Sequence, residues 1–464
     1  MAHSRREFLR TTGCAALGMA ALSSGIERFG LASAFAQGSG YKALVCIFLG
    51  GGNDGNNLVV PLSTTDYAAY SSVRATSGLA IAQASLLPIT PPSIGNPFGL
   101  HPNLVELQGL WSDQKLAIVC NVGPLVEPLT KQEYQGNGPR PYQLFSHSDQ
   151  IAQWQTARAD ATSPTGWGGR TADVFGLTQS AVPMITALAG GVFTRGQITS
   201  PLSIAPAPTS LSQVLVLTGF GTANDELARK NSMNYLRTID REATLVAASS
   251  DITQQALDVG QAFSVDPQLT TVFPNTTLGN QLKQVAKVIK LNQTSSMLGL
   301  NRQIFFCSLG GFDTHQNQVG TQASLLTQVS QAMKAFYDCT IELGVAAQVT
   351  TFTLSDFGRT FQPAGTGAAV VGSDHAWGNH HFVMGGAVRG GDFYGVPGPN
   401  GTVFPTLQLN GPNDADTRGR WIPTASVEQY AATLASWYGV SATDIPTVFP
   451  LIGNFASPDL GFMT

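Results

Sequence analysis

Charge, cysteine and long apolar runs are all scarce in this 464-residue chain. Charged residues make up 12% of it, about half the usual share, and they leave a formal net charge of −4. A mildly acidic chain without a basic stripe gives no reason to expect a nucleic-acid partner. The five cysteines fit no zinc framework by spacing. Cys46, Cys120 and Cys307 lie inside apolar runs (LVCIFL, LAIVCNV, IFFCSL), where a buried thiol acts as a small apolar filler. No run beyond the amino-terminal segment is long and apolar enough to span a bilayer, so no permanent membrane anchor is expected. No internal repeat is visible.

The amino-terminal segment has its own grammar. Ser4-Arg5-Arg6-Glu7-Phe8-Leu9-Arg10 is a twin-arginine export signal, followed by an Ala-rich apolar stretch from Cys14 to Leu22 and by Ala34-Phe35-Ala36, a small-residue cleavage candidate. The expected mature chain begins near Gln37, after residues 1–36 engage the twin-arginine translocase. It is then periplasmic or secreted, and it loses four basic and two acidic residues, which leaves 21 against 27, a net of −6. Folding before export favours free thiols over disulfides.

With 43% hydrophobic residues, 50 glycines and 26 prolines, residues 37–464 suit one large, loop-rich α/β domain. Residues from about 190 to 300 change character. A Pro/Ser-rich patch precedes helical patterns over 224–263 and 278–291 without acid or histidine clusters, as expected of a helical insertion that flanks a pocket.

Chemistry concentrates at the ends of expected strands. Gln303–Leu309 (QIFFCSL) is a buried-type strand that breaks into Gly310-Gly311-Phe312-Asp313-Thr314-His315. An apolar stripe from Ser324 to Leu343 predicts a helix, and Val349–Leu354 predicts a second strand ending at Ser355-Asp356-Phe357-Gly358-Arg359. That is a βαβ unit, whose parallel strands carry both clusters to one sheet edge. Ala43–Leu49, apolar throughout, ends in Gly50-Gly51-Gly52-Asn53-Asp54 and places a third acid at that edge. The loop after Asp356 leads to His375, His380 and His381, with an antiparallel strand expected from His381 to Val388.

Carboxylates and neutral imidazoles gathered at a dry edge call for a cation among them, so a divalent ion (Zn, Mn or Ca) held by Asp54, Asp313, His315, Asp356 and His375 is expected. The competing explanation is ordinary turn and cap chemistry at each position. Ser146, at the start of an amphipathic run with Asp149 three residues on, suits either a helix cap or a nucleophile toward a phosphate or sulfate ester. Arg170 fits either an acid partner or a substrate contact, and His101 fits a structural place. Phe404–Leu409 is expected as a short strand, and Ser426–Tyr438 as a closing helix.

The twin-arginine start together with GGNDGNN, FSHSDQ, GGFDTH, LSDFGRT and GSDHAWGNHHFVMGG, in this order, resembles the DUF1501 family over nearly the whole mature chain. The resemblance places the chain in the alkaline phosphatase and sulfatase superfamily. It implies a three-layer α/β/α sandwich with a mostly parallel sheet, an active site at the strand ends, and usually two divalent metals. By that resemblance Asp54 bridges the metals and Ser146 takes the nucleophile position. Asp313 and His315 hold one ion with a late histidine (His375, His380 or His381), and Asp356 holds the other. Arg359 or Asn53 would hold the non-bridging oxygens of a small-molecule or envelope-derived ester. The implied activity is an exported metal-dependent hydrolase, and the alternative is an exported binding protein that retains a degenerate pocket. Two departures stand out. Asp313 and His315 are two residues apart where four is common, and Phe357 follows Asp356 where the superfamily often has histidine, so one imidazole is missing.

Overall fold

A computed structural model describes residues 40–464 except 177–179, 181, 215–218 and 366–370. The twin-arginine segment lies outside the described residues.

Nine strands form the main sheet: β1 (Lys42–Leu49), β5 (Leu116–Gly123), β6 (Ile185–Ala187), β7 (Leu202–Ser203), β8 (Arg302–Leu309), β9 (Val349–Ser355), β10 (Asn379–Gly385), β11 (Phe393–Tyr394) and β12 (Ala425–Ser426). A separate antiparallel sheet joins β2 (Val59–Pro61), β3 (Leu87–Ile89) and β4 (Phe98–Leu100). The main order is β11-β5-β10-β9-β1-β8-β6-β7, with β12 also paired to β5. Every pairing is parallel except those of β10, which runs antiparallel to both β5 and β9. The carboxyl ends of β1, β5, β8 and β9 and the amino end of β10 therefore share one edge.

The helices used below are α1 (Thr64–Arg74), α2 (Val105–Ser112), α3 (His147–Thr156), α4 (Trp167–Phe175), α5 (Asn224–Leu236), α6 (Thr244–Ala262), α7 (Thr277–Thr294), α8 (Gln318–Glu342) and α9 (Val427–Tyr438). Side chains alternate along β1, so that Ala43, Val45, Ile47 and Leu49 enter one core while Leu44, Cys46 and Phe48 enter another on the opposite face. Helices α2, α7 and α8 bury apolar residues in the first core, and α3, α4 and α9 in the second. The architecture is thus a three-layer α/β/α sandwich with a mostly parallel sheet, as expected. The four cysteines among the described residues are free and buried.

Three expectations need adjusting. Residues 404–409 form no strand, because the Phe404 ring instead packs against Phe98 and Phe393. The antiparallel strand starts at Asn379 and ends at Gly385, two residues earlier than its predicted start. Within the helical stretch, α7 is no appendage, since it packs into the same core as α8 and the sheet. Helix α5 buries no residue, and α6 exposes Leu245 and Ile252 at its start while Val259 and Ala262 at its end enter the first core. No helix among the described residues is long and apolar enough to cross a membrane.

Candidate metal centre

Extended backbone beyond β8 sorts the GGFDTH side chains by simple alternation. Phe312 and Thr314 are buried, so Asp313 and His315 face outward together. The turn after β1 approaches so closely that a Cβ on Gly51, whose φ is +113°, would lie 2.2 Å from the Asp313 nitrogen. Only glycine fits there. Beyond β9, residues 358–360 pair with 374–377 in a short antiparallel ladder centred on the bridge between Arg359 and His375. That ladder fixes His375 over the Phe357 ring, at 4.6 Å between centroids. The loop leaving β5 brings in α3, whose first residue, His147, also lies against Phe357 at 4.8 Å.

Three imidazole Nε2 atoms and one carboxylate therefore meet. His375 Nε2 lies 3.1 Å from His147 Nε2 and 3.1 Å from His315 Nε2. Asp313 Oδ1 is 3.1 Å from His315 Nε2 and 3.5 Å from His375 Nε2, and Asp313 Oδ2 is 3.5 Å from His147 Nε2. The donors form two triangles sharing the Asp313–His375 edge. Ligands about 2.0–2.1 Å from a zinc-sized ion at tetrahedral angles would stand roughly 3.3 Å apart.

The other ring nitrogens decide which way the lone pairs point. His147 Nδ1 is 2.6 Å from Asp356 Oδ2, His315 Nδ1 is 3.1 Å from Asp374 Oδ1, and His375 Nδ1 is 2.8 Å from the Phe145 carbonyl. Each partner is an acceptor, so each Nδ1 carries the proton of a neutral imidazole and each Nε2 offers a lone pair to the shared space. Three lone pairs and a carboxylate crowd one another unless a cation or a proton sits between them. The hydrogen bond to Asp356 raises the His147 pKa, whereas burial lowers that of His375. Burial raises the Asp313 carboxyl, but the hydrogen bond and charge of Arg359 outweigh it and hold Asp313 below its ordinary value. The donor set and its outer shell suit a metal ion.

Not every expected site residue stands here. Asp54 is buried in an ion pair with Arg74, whose Nη1 is 2.6 Å from Asp54 Oδ2 and whose Nη2 is 3.1 Å from Oδ1. Gln318 Nε2 donates to the same Oδ2 at 2.7 Å, and the Asn56 amide nitrogen donates to Oδ1 at 3.2 Å. A guanidinium thus stands where a bridging metal was expected. Asp356 is behind the cluster, its Oδ1 accepting from the Gly51 amide at 2.9 Å and its Oδ2 holding His147. His381 points into the core between Trp154 and Tyr430, and burial pushes its pKa down to about 3. His380 is equally buried, stacked on Phe404, and its Nδ1 accepts from the Asn121 amide.

The expected oxyanion contacts are engaged elsewhere. Arg359 has a fully buried side chain that bonds Asp313 Oδ1 at 2.9 Å, the Gly51 carbonyl at 3.2 Å and the Ser373 carbonyl. Asn53 is the exception: it is buried and its Oδ1 accepts from Asn379, but its Nδ2 donor meets no partner among the described residues. Ser146 does occupy the N-cap position of α3, but its Oγ donates to Asp149 Oδ2 at 2.6 Å instead of capping the helix. Arg170 bonds the carbonyls of Val448, Thr165 and Thr156, and His101 is buried with Nδ1 accepting from the Asn103 amide.

His147 and Asp374 were missed. The serine is the conspicuous group in FSHSDQ, although it is the histidine that lies against His375 and Asp313. GSDHAW was read for His375 alone, although the neighbouring acid holds His315.

A family model described as "Protein of unknown function (DUF1501)" matches residues 41–403. No curated protein matches the chain at significant similarity. Solved structures similar in part include a sulfatase from Pseudoalteromonas sp., at 7% identity over 79% of this chain and 67% of that one, with a TM-score of 0.32. Another is the C-terminal periplasmic domain of EcEptC from Escherichia coli in complex with Zn, at 10% identity, 74% and 73% coverage, and a TM-score of 0.30. The TAB5 alkaline phosphatase with bound Mg matches at 9% identity, 73% and 89% coverage, and a TM-score of 0.24. Likenesses this weak fix neither substrate nor chemistry.

Proposed function

The chain belongs to the DUF1501 family, which lends it no activity, and we propose that it is an exported, metal-dependent hydrolase of phosphate or sulfate esters. The observation that carries this reading is the convergence of His147, His315 and His375 Nε2 with Asp313, each ring's Nδ1 being held by its own acceptor. His147, Asp313 and His375, whose ligand atoms all lie within 4.8 Å of one another, would hold one divalent ion, with His315 as the fourth donor from the His375–Asp313 side. Three imidazole donors favour a first-row transition ion such as Zn over Ca, which takes oxygen ligands. When bound, such an ion would supply charge stabilisation at the ester oxygens and ease deprotonation of a nucleophile.

The chain's own residues supply the rest. Ser146 is next to His147 in sequence, and its hydroxyl proton already faces Asp149 at 2.6 Å. In this reading Ser146 Oγ bonds to phosphorus or sulfur while Asp149 takes its proton and the bond to the ester oxygen breaks; Asp149 returns that proton to the departing oxygen, and water then displaces Ser146 Oγ to release phosphate or sulfate. The start of α3 has no side-chain cap, which leaves its first-turn amides to favour an anion. The envelope location rests on the twin-arginine motif.

Purified protein supplied with Zn, Mn or Ca in turn is assayed for bound metal and for turnover of aryl phosphates and sulfates. One bound ion per chain, with turnover lost in Ser146→Ala and metal retained, supports the reading. Absence of bound metal under every condition overturns it.

A second reading has its own observation. Four protein donors can close a tetrahedral ion completely, and closed sites are structural. The chain would then be an exported metal-binding protein, identified by a bound ion without turnover of either ester class.

A further inference from the structure

Which charged group near the cluster could still meet a solute? Arg359 is fully buried on Asp313. Arg420 is committed to Asp416 at 2.8 Å, to the His375 carbonyl at 2.9 Å and to the Phe145 ring at 4.4 Å. Arg418 is different. Its side chain is 32% exposed, and its guanidinium makes one ion pair, Nη2 to Asp374 Oδ2 at 2.7 Å. Among the described residues no other bond to that guanidinium is found.

Its place is fixed by the backbone. The Arg418 carbonyl accepts from the Gln362 amide at 3.0 Å and the Gly419 carbonyl from the Phe361 amide at 3.1 Å, while the Arg418 amide donates to Asp416 Oδ1 at 2.7 Å. Through Asp374 this arginine is one residue removed from the ligand His315, on the exposed side of the cluster.

Charge shows why that position matters. Around the cluster, four carboxylates (Asp149, Asp313, Asp356 and Asp374) face two guanidiniums (Arg359 and Arg418), because Arg420 and Asp416 cancel. A divalent ion brings the basin to neutral, so Arg418, on its exposed side, is the cation left for a second anionic group to meet. An anion at the cluster is also too far from Arg418 to use it directly, since Asp374 and the His315 ring stand between.

We infer that Arg418 is a specificity-determining residue that recognises a second anionic group on the substrate, beyond the ester bound at the metal centre. The inference rests on the metal-centre reading and names its substrate class as an ester carrying an additional phosphate, sulfate or carboxylate. A guanidinium whose remaining donors meet none of the described residues pairs with any of the three.

The test uses the full-length mature chain loaded with Co(II), whose visible spectrum reports ligands at the ion. Phenylphosphonate and 4-carboxyphenylphosphonate are titrated into wild type, Arg418→Gln and Arg418→Lys, with 4-sulfophenylphosphonate separating carboxylate from sulfonate preference. A partly exposed ion pair is worth roughly 1 kcal/mol, so the second anion should tighten wild-type binding about fivefold. That advantage should vanish in Arg418→Gln and return in part with Arg418→Lys, while phenylphosphonate affinity and Co(II) content stay as in wild type. Equal affinities for the phosphonates in wild type, or an advantage that survives Arg418→Gln, overturn the inference. Loss of Co(II) from Arg418→Gln also overturns it, by making Arg418 a positioning residue for His315. Failure of wild type to bind Co(II) removes the metal-centre reading itself.

Discussion

Replacing Asp356 by asparagine tests the metal centre through a residue that touches no ion. Asp356 is buried, and its two oxygens accept from two different donors, the Gly51 amide at 2.9 Å and His147 Nδ1 at 2.6 Å. An amide of the same shape has one acceptor oxygen, so Asp356→Asn must turn its NH2 toward one of these donors. If it faces His147, that ring loses the partner that keeps Nε2 free for the ion. If it faces Gly51, the tight turn against Asp313 loosens. Outer-shell substitutions of this kind weaken metal binding about 10- to 100-fold, or roughly 1.4–2.7 kcal/mol. The same loss appears in thermal unfolding. With free metal at 100 times the wild-type Kd, the ion stabilises wild type by about 2.7 kcal/mol and a 100-fold weaker variant by only about 0.4 kcal/mol. Chelator competition gives Kd, and melting with and without metal gives the linkage. Asp374→Asn is the companion, since Asp374 is about a third exposed and shares its charge with Arg418, so a smaller loss is expected. A folded Asp356→Asn protein with Kd within about twofold of wild type would refute the assignment of His147 as a ligand.

Further outcomes follow from the same contacts. Gly51→Ala should lower stability by about 1–3 kcal/mol, measured by denaturant unfolding, because its φ of +113° disfavours a side chain and the new Cβ would meet the Asp313 backbone. Arg74→Met leaves Asp54 buried without its counter-charge and should cost about 3–5 kcal/mol in the same assay. Glu428, in the first turn of α9, is buried with its carboxylate oxygens meeting no hydrogen-bond partner among the described residues, and burial lifts its pKa to about 8. The folded state therefore holds a proton that the unfolded chain releases near the ordinary carboxylate value, so stability contributed by the neutral form falls as pH rises from that value to about 8. Melting temperatures across that window should slope downward in wild type and flatten in Glu428→Gln; identical slopes would refute the buried neutral acid.

Strands were legible where composition was one-sided. β1 and β5 are almost wholly apolar, β8 has an apolar centre and β9 is rich in β-branched residues, and all four stop at glycine or acid, so their ends, and the acids just past them, could be assigned from sequence. The same one-sidedness hid the histidines. In a strand buried on both faces, His380 and His381 look alike in sequence, and only the packing shows that one stacks on Phe404 and the other on Trp154, both away from the cluster. His147 was hidden for a different reason. It opens a helix after a long loop, and nothing local indicates that this helix start lies over Phe357.

Legible without coordinates were the α/β frame, the sheet edge at which acids and histidines gather, and three of the residues that meet there, Asp313, His315 and His375. Periodicity and strand-end chemistry are local properties, so they survive without coordinates. Packing between distant elements turns Asp313 toward the imidazoles, with Arg359 on its Oδ1, and turns Asp54 and Asp356 away. Asp54 and Asp356 sit at strand ends just as Asp313 does, yet one meets Arg74 from α1 and the other meets His147 from α3. A carboxylate's role depends on which distant cation or donor reaches it first, and that is set by how helices far apart in the chain pack around one sheet edge.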